Sequence, residues 1–185
     1  MVQGMLTENE KTQLLQIARR SLEEYFADRS FVPENMIGAL KEHRGAFVTL
    51  KKHGELRGCI GYVKGIKPLG AAVSELAIEA AVHDPRFNPV EVSELRDIDI
   101  EISAMTPLIR VKSTDDIVVG NHGLYIKKGF RAGLLLPQVA TEWGWNKDKF
   151  IEQTCYKAGL DKKAWKEKDT EIYSFTAEVF SEKTK

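Results

Sequence analysis

The sequence predicts an α+β fold, in which a mainly antiparallel sheet packs against helices that are segregated from it. The first observation is a pair of apolar segments, residues 45–52 and 55–63, flanking His53-Gly54, a dipeptide suited to a β-hairpin turn. The second is that helical patterns lie before and after such pairs and do not alternate with single strands. The third is a length of 185 residues without an internal repeat or linker, from which we expect one domain over residues 1–185.

The composition argues against several classes of function. Lys and Arg number 27, as do Asp and Glu, so the chain has no electrostatic basis for binding nucleic acid or an anionic membrane. Its apolar runs are far shorter than the roughly 20 residues that cross a bilayer, and residues 1–9 lack the pattern of a secretory signal. A hydrophobic content of 43% is sufficient for a substantial core.

Cysteine and histidine spacing predicts a metal-free, cytoplasmic protein. Cys59 and Cys155 lie far apart in sequence, which favours reduced thiols over a disulfide scaffold. No Cys-x-x-Cys or His-x-x-x-His pair is present, so the spacing predicts no zinc site. We expect neither a metal nor a cofactor.

The first third of the chain is predicted to contain a long helix and the first hairpin strand. Residues 7–28 carry a helical apolar stripe, and Thr7 with Glu10 fits a capping box at its start. A connector with a short helix over residues 34–41 follows. Residues 45–52 are so continuously apolar that we expect burial on both faces of that strand.

The middle of the chain predicts an alanine-rich helix and a third strand. The helix covers residues 68–83, and its small side chains predict a close approach to the sheet. It ends before a proline, because residues that precede proline are disfavoured in the helical region. Residues 98–106 alternate apolar and polar, which predicts one solvated face bearing Asp99 and Glu101 as exposed charges rather than a catalytic pair.

The last third predicts a second hairpin, two short helices and a closing strand. In order these are strands 124–128 and 132–136, helices over 137–143 and 147–158, and a strand over 171–180. Asn146 is the predicted N-cap of the second helix. We expect the last strand to close the sheet and residues 181–185 to fray.

Residues 56–61, Leu-Arg-Gly-Cys-Ile-Gly, are the strongest candidate for a functional site. Because strand residues alternate faces, Arg57 and Cys59 should lie side by side over a surface left bare by Gly61. A neighbouring cation lowers the pKa of a thiol and so favours the nucleophilic thiolate. Gly58 and Gly61 would let a ligand, or another part of the protein, approach the backbone closely.

Two roles for Cys59 are open at this point. It is either a catalytic thiol or a small buried core residue, as most free cysteines are. A catalytic thiol needs a base, for which His122 and His83 are the candidates. His122 lies in an Asn-His-Gly turn, where its ring either reaches into a cleft or caps a backbone group.

A turn with two prolines, residues 84–89, carries two further candidates. Asp84 and Arg86 either pair with each other or present charge to a ligand beside Cys59.

These motifs belong to a longer series of blocks. The series comprises Arg-Gly-Ala-Phe-Val-Thr-Leu at 44–50, Leu-Arg-Gly-Cys-Ile-Gly at 56–61, Asp-Pro-Arg-Phe at 84–87, Val-Gly-Asn-His-Gly-Leu at 119–124, Leu-Pro-Gln-Val-Ala at 136–140 and Cys-Tyr-Lys-Ala-Gly-Leu at 155–160. In this order, and over about residues 44–165, the blocks resemble the AMMECR domain family, whose prokaryotic members are called AmmeMemoRadiSam system protein A.

The resemblance implies an α+β fold of two subdomains that enclose a cleft. It also implies a functional association with a Memo-like protein and a radical-SAM protein, and it implies no known reaction. The family's signature residues map onto residues 57–61.

Three hypotheses follow for the candidate site. In the first, an enzyme binds a small molecule: Cys59 is the nucleophile or redox thiol, Arg57 holds an anionic group, His122 moves a proton, and Asp84 or Arg86 lies nearby. In the second, the same strand and the two-proline turn form a non-catalytic adaptor surface for the partner proteins. In the third, the glycines serve only the packing of the alanine-rich helix.

Overall fold

The computed structural model describes residues 5–182, which adopt an α+β fold. The α-helices of this range are α1 (Glu8–Phe26), α2 (Leu69–Val82), α3 (Pro137–Glu142) and α4 (Lys147–Lys157). The strands are β1 (Ala46–Lys52), β2 (Glu55–Tyr62), β3 (Ile98–Met105), β4 (Ile109–Arg110), β5 (Gly123–Lys128), β6 (Arg131–Leu135), β7 (Glu171–Phe175) and β8 (Ala177–Ser181). They form two four-stranded sheets, one in each of two compact units. Unit 2 spans Thr106–Ala177, and unit 1 holds the residues on either side of it.

Unit 1 packs α1 and α2 on one face of a sheet with the strand order β2-β1-β3-β8. Ala46, Val48 and Leu50 on β1 are fully buried, whereas the alternate residues Phe47 and Thr49 are half-buried. The predicted burial of this strand therefore holds for one face only. Phe47 and Thr49, on the face opposite α2, remain partly accessible.

The start of α1 confirms the predicted capping box. The Thr7 hydroxyl oxygen accepts a hydrogen bond from the Glu10 backbone N–H, and Glu10 Oε2 accepts from the Thr7 N–H at 2.7 Å. The other carboxylate oxygen of Glu10 accepts from the backbone N–H of Ala39 at 2.7 Å. This bond fixes the 3₁₀ helix Gly38–Lys41. A short helix was predicted over residues 34–41, and only its last four residues are helical.

The first hairpin and the alanine-rich helix are also confirmed. His53 and Gly54 have φ values of 54° and 86°, the positive pair that a type I′ hairpin turn requires. Helix α2 begins after its N-cap Pro68 and ends at the C-cap His83.

Unit 2 packs α3 and α4 against a sheet with the strand order β4-β7-β5-β6. Its core includes the fully buried Leu124, Ile126 and Phe150. Both helices lie where the sequence predicts them, and the Asn146 side chain accepts from the Lys149 backbone N–H at 2.9 Å as the predicted N-cap of α4.

The strand predicted over residues 171–180 is in fact two strands in two different sheets. The chain breaks at Thr176, whose backbone N–H donates to the Thr106 hydroxyl at 2.9 Å. Strand β7 then lies beside β5 in unit 2, and β8 lies beside β3 in unit 1. Alternation of apolar and polar residues predicts that a segment is extended, but it does not predict which sheet the segment joins. Strand β4 was not predicted, because two residues are too few to show an alternating pattern.

Two further expectations need correction. The solvated face predicted for residues 98–106 is limited to the first half of β3, because Ser103 and Met105 are both buried. The chain also remains ordered after β8: Glu182 accepts a hydrogen bond from Arg19 Nε at 2.9 Å. Fraying of residues 183–185 lies outside the described residues.

Candidate functional site

The candidate site is built on β2, an edge strand of the unit 1 sheet. The backbone N–H of Cys59 donates to Asp84 Oδ2 at 2.8 Å, and its carbonyl oxygen accepts from Arg86 Nη2 at 3.2 Å. Both main-chain groups of Cys59 therefore point away from β1 and bond to side chains of one turn. Asp84 and Arg86 take the place of the neighbouring strand that an edge strand lacks.

Asp84 is the centre of this arrangement. Its side chain is only 2% exposed, and it also accepts from the Arg86 backbone N–H at 3.1 Å, from Nε at 2.9 Å and from Nη2 at 2.7 Å. The Arg86 guanidinium, together with the Cys59 N–H, holds the pKa of the Asp84 carboxyl well below its usual range, although burial acts in the opposite direction. Asp84 and Arg86 therefore pair with each other, which is the first of the two alternatives for this turn, and both also bond to the backbone of Cys59.

Arg57 holds the same turn from the other side. Its Nε and Nη2 donate to the two Glu94 carboxylate oxygens at 3.1 and 2.8 Å, and its Nη1 donates to the Asn88 carbonyl at 2.9 Å. Hydrogen bonding by Arg57 lowers the pKa of Glu94 to about 2. Lys52 Nζ also binds Glu94, at 3.0 Å from Oε1, so Arg57 shares this carboxylate with a second cation. The Arg57 donors fasten the two-proline turn to β2.

The two glycines of the motif serve two different packing contacts. A Cβ on Gly58 would lie 2.0 Å from the carbonyl oxygen of Ala80, so the close approach of α2 requires glycine there. A Cβ on Gly61 would lie 2.1 Å from the Phe47 ring. The surface predicted to be bare beside Gly61 is therefore occupied by an aromatic side chain.

The Cys59 thiol lies on the face of the sheet opposite α2. It is half-buried, unlike Cys155, which is fully buried and whose thiol pKa is raised by that burial. The Thr49 hydroxyl, directly across on β1, donates to Cys59 Sγ at 3.2 Å. Glu101 lies across from Thr49 on the next strand and forms an ion pair with Lys51 at 2.8 Å. Cys59 is thus a partly accessible thiol in polar surroundings, not a core residue.

The two candidate histidines have local partners. In unit 2, His122 Nδ1 accepts from the Val118 backbone N–H at 3.1 Å, so the ring caps its own turn. This contact places the proton of the neutral ring on Nε2. In unit 1, His83 Nδ1 lies 3.1 Å from Glu79 Oε2, and its side chain is 61% exposed.

Sequence reasoning missed Thr49 and Glu94. A threonine inside an apolar strand gives no signal by itself, and Glu94 is one of many acidic residues. Among residues 5–182, no group of three or more His, Cys, Asp or Glu side chains is arranged to hold a metal ion. Within the same range, no helix is long and apolar enough to cross a membrane.

Comparisons with known proteins cover nearly the whole chain. The AMMECR1 family model matches residues 15–180. A protein of Methanothermobacter thermautotrophicus is 45% identical over 185 residues, which cover 96% of each chain, and a protein of Thermococcus onnurineus is 47% identical over 181 residues, covering 91% of this chain and 88% of its own. The crystal structure of the uncharacterized protein PH0010 from Pyrococcus horikoshii superposes with a TM-score of 0.87 at 39% identity, covering 96% of this chain and 94% of that one.

Proposed function

This chain belongs to the AMMECR1 family, and on that premise we propose that unit 1 binds a small molecule on which the Cys59 thiol acts as nucleophile or redox group. The observation that carries the proposal is a partly accessible thiol on a strand whose backbone is held in place on both sides. Structural cysteines are usually buried in apolar surroundings, whereas reactive ones are partly exposed beside polar groups and cations.

The proposal gives the neighbouring residues separate roles. Arg86, whose side chain is 54% exposed, lies beside Cys59 and retains accessible surface with which to bind an anionic group of the ligand. Asp84 holds Arg86 and the Cys59 backbone in place. Arg57 is the residue predicted from the sequence to bind an anionic group of the ligand. In the proposed site it supports the two-proline turn instead, because Glu94 already engages its guanidinium.

Proton transfer by a histidine completes the proposed chemistry. His122 is the proposed residue, with Nε2 as the atom that exchanges the proton, and His83 is the alternative. This role requires that Cys59 Sγ comes within about 6 Å of one of the two rings, so that modest motion brings them to hydrogen-bonding distance.

Alkylation of the thiol tests the proposed function. The rate of iodoacetamide labelling of Cys59 is measured against pH by peptide mass spectrometry, with Cys59→Ala as the background. We expect a midpoint well below the free-thiol value of about 8.5. A midpoint at or above that value, or no labelling in the folded protein, would overturn the proposal.

A second candidate function is an adaptor for Memo-like and radical-SAM partner proteins. It is favoured by exposed apolar side chains, including Leu56 (43%) and Val92 (61%) in unit 1 and Trp143 and Tyr156 (both 70%) in unit 2. In unit 2 a groove of about 510 Å³ runs beside Tyr156 and Trp145. Where exposed apolar side chains form one contiguous patch, they mark an interaction surface.

Pull-down assays separate the two candidates. An adaptor should retain the partner proteins in the Cys59→Ala variant and lose them on Trp143→Ala or Val92→Asp. Failure of the intact chain to retain either partner would contradict the adaptor function. For both candidates we propose a reducing cytoplasm as the location, which the two free cysteines support.

A further inference from the structure

The cations near Cys59 are a weak source of thiolate stabilisation. Arg86 is paired with the buried Asp84 at 2.7 Å. Arg57 binds Glu94 at 2.8 Å, a carboxylate that Lys52 also binds at 3.0 Å, and a further Arg57 donor binds the Asn88 carbonyl, so its guanidinium is directed to the turn. A cation with its own carboxylate partner presents little net charge to a neighbour, since the two charges act in opposite directions. Stabilisation of the thiolate form would then depend on hydrogen bonds to the sulfur itself.

We propose that Thr49 is the positioning residue of this site, and that its hydroxyl stabilises the thiolate form of Cys59. The inference rests on the proposed function, in which Cys59 is the reactive group. Among the contacts of residues 5–182, the hydrogen bond that reaches Cys59 Sγ is the one from Thr49 Oγ1, at 3.2 Å. A hydrogen bond to a charged acceptor is roughly twice as strong as one to a neutral acceptor, so this donor favours the thiolate over the thiol.

The strand pairing explains why these two side chains meet. Thr49 and Cys59 are direct partners across β1 and β2. Both backbone groups of Cys59 bond outward, to Asp84 and Arg86, so the pair is of the non-hydrogen-bonded type, in which opposite side chains lie closer together. Threonine is also stiff at χ1, because it is β-branched, and this limits the directions that its hydroxyl can take.

A carboxylate also lies opposite Thr49. Glu101 is the partner of Thr49 on β3, and its carboxylate is a competing acceptor for the Thr49 proton. Lys51 binds that carboxylate at 2.8 Å, and the Thr49 hydroxyl donates to Cys59 Sγ.

The charged groups around Cys59 allow its titration to be measured cleanly. They are the Lys51–Glu101 pair on the sheet face, Asp84 and Arg86 at the strand edge, Glu94 with the two cations Arg57 and Lys52, and the His83–Glu79 contact at the end of α2. Carboxylates and guanidinium groups do not titrate between pH 6 and 9. Labelling in a His83→Gln background excludes a contribution from that ring.

The test compares Thr49→Val, which removes the hydroxyl and keeps the branched shape, with Thr49→Ser, which keeps the hydroxyl. Iodoacetamide labelling of Cys59 is followed from pH 6 to 9.5 in each variant, with Thr49→Ala as a second variant that lacks the donor. We expect the labelling midpoint to rise by about one pH unit in Thr49→Val and to stay near that of the intact protein in Thr49→Ser.

At pH 6.5 the labelling rate in Thr49→Val should fall by a smaller factor than the thiolate fraction of Cys59. A rise of one unit lowers the thiolate fraction about tenfold, but a more basic thiolate is also more nucleophilic, with a Brønsted coefficient of about 0.4–0.5. The rate in Thr49→Val should therefore fall about threefold.

Each outcome decides between the two proposals. A low midpoint in the intact protein that rises in Thr49→Val and Thr49→Ala, but not in Thr49→Ser, supports the role of Thr49. A low midpoint that none of these variants moves overturns the role of Thr49 and leaves the proposed function standing. A midpoint near 8.5 in the intact protein overturns both.

Discussion

Replacement of Asp84 by asparagine should remove the cap on the edge of β2. Oδ2 of Asp84 accepts from the Cys59 N–H and from Arg86 Nη2, while Oδ1 accepts from the Arg86 backbone N–H and from Nε. Each carboxylate oxygen thus faces two donors. An asparagine presents an amide –NH₂ group to one of these pairs, so Asp84→Asn leaves a backbone N–H without its acceptor whichever way the amide is oriented.

The expected loss of stability is about 2–4 kcal/mol. A buried donor without a partner costs about 1–3 kcal/mol, and loss of the charged acceptor weakens the remaining hydrogen bonds to Asp84. The Arg86 side chain is 54% exposed, so water can solvate its freed guanidinium at little cost. The expected loss of about 2–4 kcal/mol is therefore about 1 kcal/mol smaller than the roughly 3–5 kcal/mol typical of breaking a fully buried ion pair.

The pH dependence gives a second, independent signature. The pKa of the Asp84 carboxyl in the folded protein lies below its usual value, so its stabilisation is fully present above about pH 4 and is lost as the pH falls towards the folded-state pKa. The difference in unfolding free energy between the intact protein and Asp84→Asn should therefore shrink below pH 4, by up to about 1.4 kcal/mol per pH unit.

The assay is urea unfolding followed by two signals. Circular dichroism at 222 nm detects all four α-helices, of which the two longest, α1 and α2, lie in unit 1 with Asp84. The three tryptophans all lie in unit 2, so their fluorescence follows that unit. Asp115→Asn is a matched control, since that side chain is 86% exposed in its ion pair with Lys147, and we expect no measurable change. A loss below about 0.5 kcal/mol for Asp84→Asn, or a loss that stays constant down to pH 2.5, would refute the edge-capping account.

Two further predictions concern the same strand. Gly58→Ala should cost about 3 kcal/mol in unfolding free energy, because its Cβ would lie 2.0 Å from the rigid carbonyl oxygen of Ala80. Gly61→Ala should cost less, because the backbone oxygen in its way, that of Ala46, is farther off at 2.6 Å and the nearer obstacle is the Phe47 ring; equal losses in urea unfolding would contradict this order. Arg57→Lys should cost about 1–2 kcal/mol at pH 7, since lysine cannot form the bidentate contact with Glu94. That cost should diminish as the pH falls from about 4.5 to 2, where Glu94 becomes protonated, and a pH-independent cost would argue against the ion pair as its source.

Local signals in the sequence predicted most of the elements. Thr7 with Glu10, His53-Gly54 and the proline at residue 85 each act over a few residues, so they mark helix ends and turns without knowledge of the rest of the fold. The AMMECR blocks added the family. Sheet membership was beyond such signals, as the division of residues 171–180 between two sheets shows.

The pairing of Thr49 with Cys59 shows where local reasoning fails. A two-residue turn at His53-Gly54 pairs Lys52 with Glu55 and, continued without interruption, would place Thr49 opposite Gly58. A bulge opposite Leu50 and Lys51 shifts the register by one residue and brings Thr49 to Cys59. Strand β2 contacts α2 at Gly58 and the two-proline turn through Arg57 around this point, and neither contact can be read from the hairpin sequence.

The packing hypothesis for residues 56–61 therefore concerns the backbone of β2, whereas the enzymatic hypothesis concerns the Cys59 sulfur. Several contacts fix where β2 lies. Gly58 packs against α2, Arg57 binds the two-proline turn, and Asp84 and Arg86 bind the backbone of Cys59. None of these hydrogen bonds or packing contacts reaches Cys59 Sγ, which bonds to Thr49 on the opposite face from the helix. A preorganised thiol requires a firmly fixed backbone and a side chain that remains partly accessible, and Cys59 has both. Packing alone would explain the fixed backbone, but it does not explain the polar surroundings of the sulfur.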